Sequence, residues 1–346
     1  TINIQMYWKF YHILPHFTTL LINNYYRSIF TVFTNKVNRY KYMVFRRLKA
    51  IKNSNEQLLT CGGWLFCEVS LLFYIFIFEI PIFAFIEWLK KPMSHTLITE
   101  GKYNYIEAGE GTPIIVLHGL MGGLSNFDAV INRFSKEGYK VIIPQLPVYS
   151  MSLIKTNVKS FSKYLYEFIE FKGFDDVILL GNSLGGHIGL YFTKLNPEKV
   201  KALIITGSSG LYESAMGGGY TKRSDYEVIK KKAQDVFYDP AVATKDIVDE
   251  VYETVNDRNK LIKTLAIAKS AIRHNMAKDL PKMTTPTCII WGKNDGVTPP
   301  EVADEFHRLL PDSNLFWIDK CGHAPMMEHP EKFNIILGDW LKSRKL

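Results

Sequence analysis

The wholly apolar run Val177–Leu180 leads into Gly181-Asn182-Ser183-Leu184-Gly185-Gly186, and His187-Ile188-Gly189-Leu190-Tyr191-Phe192 continues it at helical spacing. A strand that turns straight into a helix at a serine leaves few folds open. Gly181 and Gly185 remove Cβ atoms where the two backbones must come close. Such a turn exposes the hydroxyl at a strained tip, and the first N–H groups of the new helix point toward the place where negative charge could be held. Gly-x-Ser-x-Gly alone is a common pattern. A base and an acid further along the chain are what would give it chemical meaning.

The rest of residues 93–346 fits that turn. Thr96–Ile106 alternates like a hairpin with Glu100-Gly101-Lys102 as its turn, and Pro113–Leu117 is a continuous apolar strand that ends in His118-Gly119-Leu120-Met121-Gly122-Gly123. Helical spacing covers Phe127–Lys136, Val158–Phe171 and Ser183–Leu195, while Lys140–Ile143, Val200–Ile205, Cys288–Trp291 and Leu315–Ile318 read as further strands. Strands alternating with helices predict an α/β architecture: a mostly parallel central sheet with helices on both faces. Ligands in such sheets sit at the carboxyl ends of the strands, where segments 118–123, 181–186 and 291–296 all fall. Between 211 and 283 the alternation stops. Asp225–Gln234, Thr244–Val255 and Asn259–Asn275 read as helices with no strand between them, which predicts a helical cap inserted into a core made of 93–210 and 284–346.

Residues 1–92 differ in composition. They hold 21 aromatic residues, no aspartate and two glycines, and their 11 Lys/Arg against 4 Asp/Glu give +7 of the chain's net +8. The remaining 31 Lys/Arg and 30 Asp/Glu nearly cancel, so the main domain has no electrostatic basis for binding nucleic acid. Two readings stay open for this atypical segment. It reads as a translated AT-rich upstream stretch, with Met93 as the start of the organised part, or as a membrane-associated segment through Val69–Leu89. That stretch is long enough to span a bilayer but carries Glu79 and Pro81 near its middle. The expected location is cytoplasmic, or membrane-anchored if 69–89 does insert. Four cysteines without a CxxC pair fit a reducing compartment and no zinc site.

Nine histidines offer bases for Ser183. His323, in Cys321-Gly322-His323-Ala324-Pro325-Met326-Met327-Glu328-His329-Pro330, follows the last strand in a loop where no packing duty explains an imidazole. His118 reads as fixing its glycine-rich turn, His187 as buried against the sheet, and His274, His307 and His329 as solvated or structural. Asp295, in Trp291-Gly292-Lys293-Asn294-Asp295-Gly296, follows strand Cys288–Trp291 and is the expected acid, against the alternative of an Asx-turn residue. After the preceding strand, Gly207-Ser208-Ser209-Gly210 offers no carboxylate. The order Ser183, Asp295, His323 is the one a strand-turn-helix nucleophile requires.

HGLMGG, GNSLGG, WGKND and CGHAPMMEHP, in this order, resemble the α/β-hydrolase superfamily, in its small helical-capped esterase and meta-cleavage-product hydrolase branch. The resemblance covers about residues 97–343. It implies Ser183 as nucleophile, His323 as base, Asp295 as acid, and an oxyanion hole from the backbone N–H groups of Leu120 and Leu184. Gly119, Met121 and Asn182 are further candidates for substrate contact. The implied chemistry is acyl transfer from a small-molecule ester to water, with no metal or organic cofactor. A serine nucleophile excludes the sibling chemistries that need an aspartate there.

Hydrolysis of carbon–carbon bonds is the nearest rival, because Asn182 beside the nucleophile could hold a substrate oxygen; Arg223 or Arg273 in the cap could clamp a carboxylate, although cap arginines are more often solvated. That branch commonly places an aromatic residue after the catalytic histidine, where this chain has Ala324. A non-catalytic ligand receptor or scaffold on the same fold is the third reading.

Overall fold

The computed structural model describes residues 95–213 and 222–346. The expectations for residues 1–92, including the 69–89 stretch, lie outside the described residues. Among the described residues no helix is long and apolar enough to cross a membrane.

Eight strands form one sheet: β1 (Ile98–Glu100), β2 (Tyr103–Ala108), β3 (Thr112–Leu117), β4 (Tyr139–Pro144), β5 (Val177–Asn182), β6 (Val200–Thr206), β7 (Thr287–Gly292) and β8 (Ser313–Ile318). Their order across the sheet is β1-β2-β4-β3-β5-β6-β7-β8. The hairpin β1–β2 and the β2–β4 pair are antiparallel, and the pairs from β4 through β8 are parallel. The helices are α1 (Asp128–Phe134), α2 (Val158–Lys172), α3 (Leu184–Leu195), α4 (Tyr226–Gln234), α5 (Lys245–Asn256), α6 (Arg258–Arg273), α7 (Pro300–Leu309), α8 (Pro325–Glu328) and α9 (Pro330–Ser343). The expected α/β class and its mostly parallel sheet are what the chain adopts.

Alternation along each central strand explains why the sheet needs cover on both faces. On β3, Ile115 and Leu117 point into a cluster with Phe161, Leu165 and Phe168 of α2, Ile188 and Phe192 of α3, and Phe306 of α7. Ile114 and Val116 point the other way, into a cluster with Val130, Ile131 and Phe134 of α1 and Phe333, Leu337 and Trp340 of α9. The strands β5, β6 and β7 share residues between the same two clusters. With both faces filled by side chains, substrate can approach only from the strand ends.

Helices α4, α5 and α6 come between β6 and β7 in the chain. Asp225 caps α4 by accepting from the N–H groups of Glu227 and Val228, and Asp257 caps α6 by accepting from those of Asn259 and Lys260. Their apolar residues build two small clusters of their own, one around Ile229, Val255 and Leu261 and one around Ala233, Ala243 and Val248. Met121, from the loop after β3, packs into the first.

Candidate active site

The serine turn is as strained as its sequence implies. Ser183 has φ 54° and ψ −119°, a left-handed conformation that costs a non-glycine residue roughly 1–3 kcal/mol. Neighbouring backbone leaves no room for side chains on either flank. A Cβ on Gly181 would lie 2.4 Å from the Gly185 carbonyl carbon, and one on Gly185 would lie 2.0 Å from the Leu117 carbonyl oxygen. The turn is held by backbone bonds: Ser183 N–H donates to Thr206 O (3.1 Å), and Ser183 O accepts from the N–H groups of His187 and Ser209 (both 3.2 Å).

The loop after β3 closes on this turn. A Cβ on Gly119 would stand 3.4 Å from Ser183 Cβ, so the chain at Gly119 and Leu120 passes directly beside the serine. His118 fixes the loop, as its position suggested. Its Nε2 accepts from Leu146 N–H (3.0 Å), which leaves the proton on Nδ1 to donate to Gly119 O (2.8 Å). Burial holds this imidazole below the ordinary histidine range and so keeps it neutral. Leu184 opens α3, where an N–H has no acceptor within the helix. Leu120 and Leu184 thus flank the serine from two directions.

Asp295 and His323 meet although 28 residues separate them. His323 Nδ1 stands 2.9 Å from Asp295 Oδ2 and 3.1 Å from Oδ1, and both residues are buried. The carboxylate is heavily coordinated. Oδ1 accepts from Val297 N–H (2.8 Å) and Thr298 N–H (2.9 Å), and Oδ2 accepts from the Thr298 hydroxyl (2.8 Å). The Asx-turn reading and the acid reading therefore hold together: the turn pins the carboxylate, and the pinned carboxylate meets the imidazole. Because Asp295 occupies Nδ1, Nε2 is the nitrogen left to exchange a proton. Gly207, at φ 52°, makes room for this ring, since a Cβ there would lie 2.9 Å from His323 Nδ1.

Ser183, His323, Gly119, Leu120, Met121 and Asn182 all line one cavity of about 390 Å³. Its opposite wall comes from the segment between β6 and β7, including Val236, Phe237, Ile247 and Val251. Among the described residues no group of histidines, cysteines and carboxylates is arranged to hold a metal ion.

The structure limits what Asn182 and the two arginines can do. Asn182 Nδ2 donates to Thr206 O and to His323 O (both 3.1 Å), so its amide hydrogens brace the histidine loop and only Oδ1 remains for a substrate. Arg223 and Arg273 are exposed and do not line the cavity, so neither is placed to clamp a carboxylate there.

Three contributors escaped the sequence reading. Thr298 could have been found from its place three residues after Asp295, the spacing of an Asx turn that returns a hydroxyl. Ser209 accompanies its N–H contact to Ser183 with a hydroxyl near His187 Nδ1 (3.3 Å). Glu328 has no local signal at all. One of its oxygens accepts from Gly322 N–H (2.7 Å), and the other from the N–H groups of Tyr238 (2.8 Å) and Asp239 (3.3 Å). It ties the His323 loop to the segment that roofs the cavity.

The chain belongs to the α/β-hydrolase fold family, whose model matches residues 112–224 and 231–330. Hydrolysis is therefore its class of chemistry. It is 63% identical to the α/β-hydrolase enzyme MGS-MChE2 from a sediment metagenome of the Mar Chica lagoon, Morocco. That crystal structure superposes with a TM-score of 0.61 over 72% of this chain and 100% of the other. The 2-hydroxy-6-oxo-6-(2'-aminophenyl)hexa-2,4-dienoic acid hydrolase of Metapseudomonas resinovorans is 30% identical over 245 residues, 66% of this chain and 83% of the relative. Lipase 1 of Psychrobacter immobilis is 27% identical over 254 residues, 68% of this chain and 79% of the relative.

Proposed function

We propose that the chain is a serine esterase that works through an acyl-enzyme. The observation that carries this reading is the Asp295–His323 pair at 2.9 Å, opening onto the same cavity as the strained Ser183. In the first half-reaction His323 Nε2 takes the Ser183 proton as Oγ attacks the ester carbonyl. The N–H groups of Leu120 and Leu184 hold the oxyanion, each contributing on the order of 3 kcal/mol in sites of this kind. The alcohol leaves with the proton from Nε2. Water then repeats the sequence on the acyl-enzyme, releasing the acid and restoring Ser183. Asp295 keeps the imidazole in the tautomer with its proton on Nδ1 and stabilises the imidazolium.

Hydrolysis of a carbon–carbon bond is the second reading, favoured by the name of the 30% identical relative. Three observations favour the ester. Asn182 spends its amide hydrogens on backbone carbonyls, no arginine stands among the described residues lining the cavity, and Ala324 follows the base. An assay of p-nitrophenyl butyrate beside a 2-hydroxy-6-oxo-dienoate tests the choice. The ester should turn over with kcat/KM at least about 100-fold above the dienoate, in the ordinary range for enzymes. The reverse order would transfer the site to carbon–carbon chemistry. Failure of a fluorophosphonate probe to label Ser183 in the folded protein would instead favour a receptor.

A further inference from the structure

The helix α5 carries an anomaly in its pattern. Ile247, Glu250, Val251 and Thr254 fall at spacings of three, one and three, so they share one face of the helix. That face is the one turned to the site: Ile247, Glu250 and Val251 line the 390 Å³ cavity, and Glu250, Val251 and Thr254 line a second cavity of about 110 Å³. Glu250 therefore stands where the pattern calls for an apolar residue. Its neighbour Asp249 is half-buried and is held by Lys245 and by the Tyr226 hydroxyl (2.6 Å).

The two cavities share Leu120, Met121, Gly122, Gly123, Glu250 and Val251, so they meet at the oxyanion loop. Glu250 sits across that loop, with Oε2 3.9 Å from where a Cβ on Gly123 would be. Glu250 is exposed, at the rim of both cavities. The cations nearby have contacts of their own. Lys263 Nζ donates to Tyr149 O (2.7 Å), Lys260 lies over the Tyr149 ring, and Lys232, which also faces the larger cavity, has an interaction of its own. The charge is felt inside the smaller cavity: burial pushes the Tyr149 phenol up, and the Glu250 carboxylate adds to that rise.

We propose that Glu250 sets the charge specificity of the site, selecting esters whose alcohol part carries a positive charge and rejecting those that carry a carboxylate. The proposal rests on the esterase reading above and adds which esters that site takes. The smaller cavity would receive the alcohol part, with the scissile carbonyl at the shared oxyanion loop. A carboxylate at the mouth of a pocket attracts a cation, leaves a neutral isostere unaffected and repels an anion. Carboxylate-bearing dienoates belong to the rejected group.

Three butyrates of matched shape test this: choline butyrate, 3,3-dimethylbutyl butyrate and 4-butyryloxy-2,2-dimethylbutanoate. The wild-type kcat/KM should fall in that order, with about tenfold between the cation and the neutral isostere. Glu250→Gln should bring that ratio close to one, and Glu250→Lys should reverse the order of the charged pair. Both variants sit on an exposed position, and their folding is checked by circular dichroism. If the wild type cleaves all three equally, or if its preference survives in Glu250→Gln, the proposal is overturned and the esterase reading stands. If the wild type cleaves none of them and leaves p-nitrophenyl butyrate intact as well, both fall together.

Discussion

The floor of the cavity and its roof are built on opposite terms. The floor places Ser183, Asp295 and His323 at the ends of β5, β7 and β8, where strands lie between two large apolar clusters. Ser183 and the Asp295 carboxylate are held there by bonds to the backbone, three at the first and two at the second. The roof, α4 to α6, has two clusters of three buried residues each, and ion pairs such as Lys231–Asp235 and Lys245–Asp249 lie on its surface. On the proposed mechanism, chemistry that tolerates only sub-ångström error sits on the rigid half, and substrate choice sits on the half that a few substitutions can reshape. Between them runs a narrow seam: His323 N–H to Val236 O (2.9 Å), the Glu328 contacts, and the His187–His274 pair at 2.9 Å.

The most severe break of the floor is Ser183→Ala. It should lower kcat for p-nitrophenyl butyrate by a factor on the order of 10⁶ with the circular dichroism unchanged. Activity within tenfold of the parent would remove Ser183 from the mechanism. Asp295→Asn should come next, with kcat reduced on the order of 10⁴, because the amide favours the wrong imidazole tautomer. A loss of only a few-fold would show that Thr298 and the loop orient His323 without the acid.

The seam should respond to pH. Burial, with the neighbouring His274, lowers the His187 pKa from 6.5 to about 3. The unfolded chain therefore binds a proton below about pH 6.5 that the folded chain refuses until about pH 3. Stability contributed by neutral His187 is complete above 6.5, falls as pH drops through that window, and levels off below it. The loss is at most about 5 kcal/mol. His118, lowered by burial, acts with the same sign. Urea denaturation at pH 7.5, 5.5 and 4 measures the slope, and His187→Gln should flatten it. An unchanged slope would place the pH sensitivity elsewhere.

Glu328→Gln probes the seam with a smaller effect. One oxygen becomes an amide that opposes backbone donors, which should cost about 2 kcal/mol of stability and reduce kcat several-fold more than it changes KM. Lys245→Ala, on the roof's outer surface, should leave both the melting temperature and kcat where they were. If the two variants behaved alike, the contrast between seam and surface would be lost.

Much of the floor was legible because its signals are local. The hairpin turn at Gly101, the buried strands and the three roof helices fall within about two residues of where periodicity places them. Ser183 is readable because the glycines around it exist to satisfy a backbone that any Cβ would block. Asp295 and His323 are readable as loop residues after strands. What escaped was every role decided by a partner far along the chain. Asn182 looked free for substrate until Thr206 O and His323 O, the latter 141 residues away, were found to take its hydrogens. Arg223 and Arg273 are exposed, as the commoner reading of cap arginines has it.

Sequence by itself determined the class of fold and singled out the candidates for the reacting groups. Strand and helix periods, turn glycines and the order serine, aspartate, histidine are properties of neighbouring residues, and neighbouring residues are what a sequence records. Tertiary structure alone decided which groups meet. It brought Asp295 to His323, laid Glu328 across the seam, and turned the face of α5 that bears Glu250 onto two cavities. The reason is physical: contacts between distant segments depend on how helices pack over a sheet, and that packing is a sum over the whole core rather than a pattern in any one window.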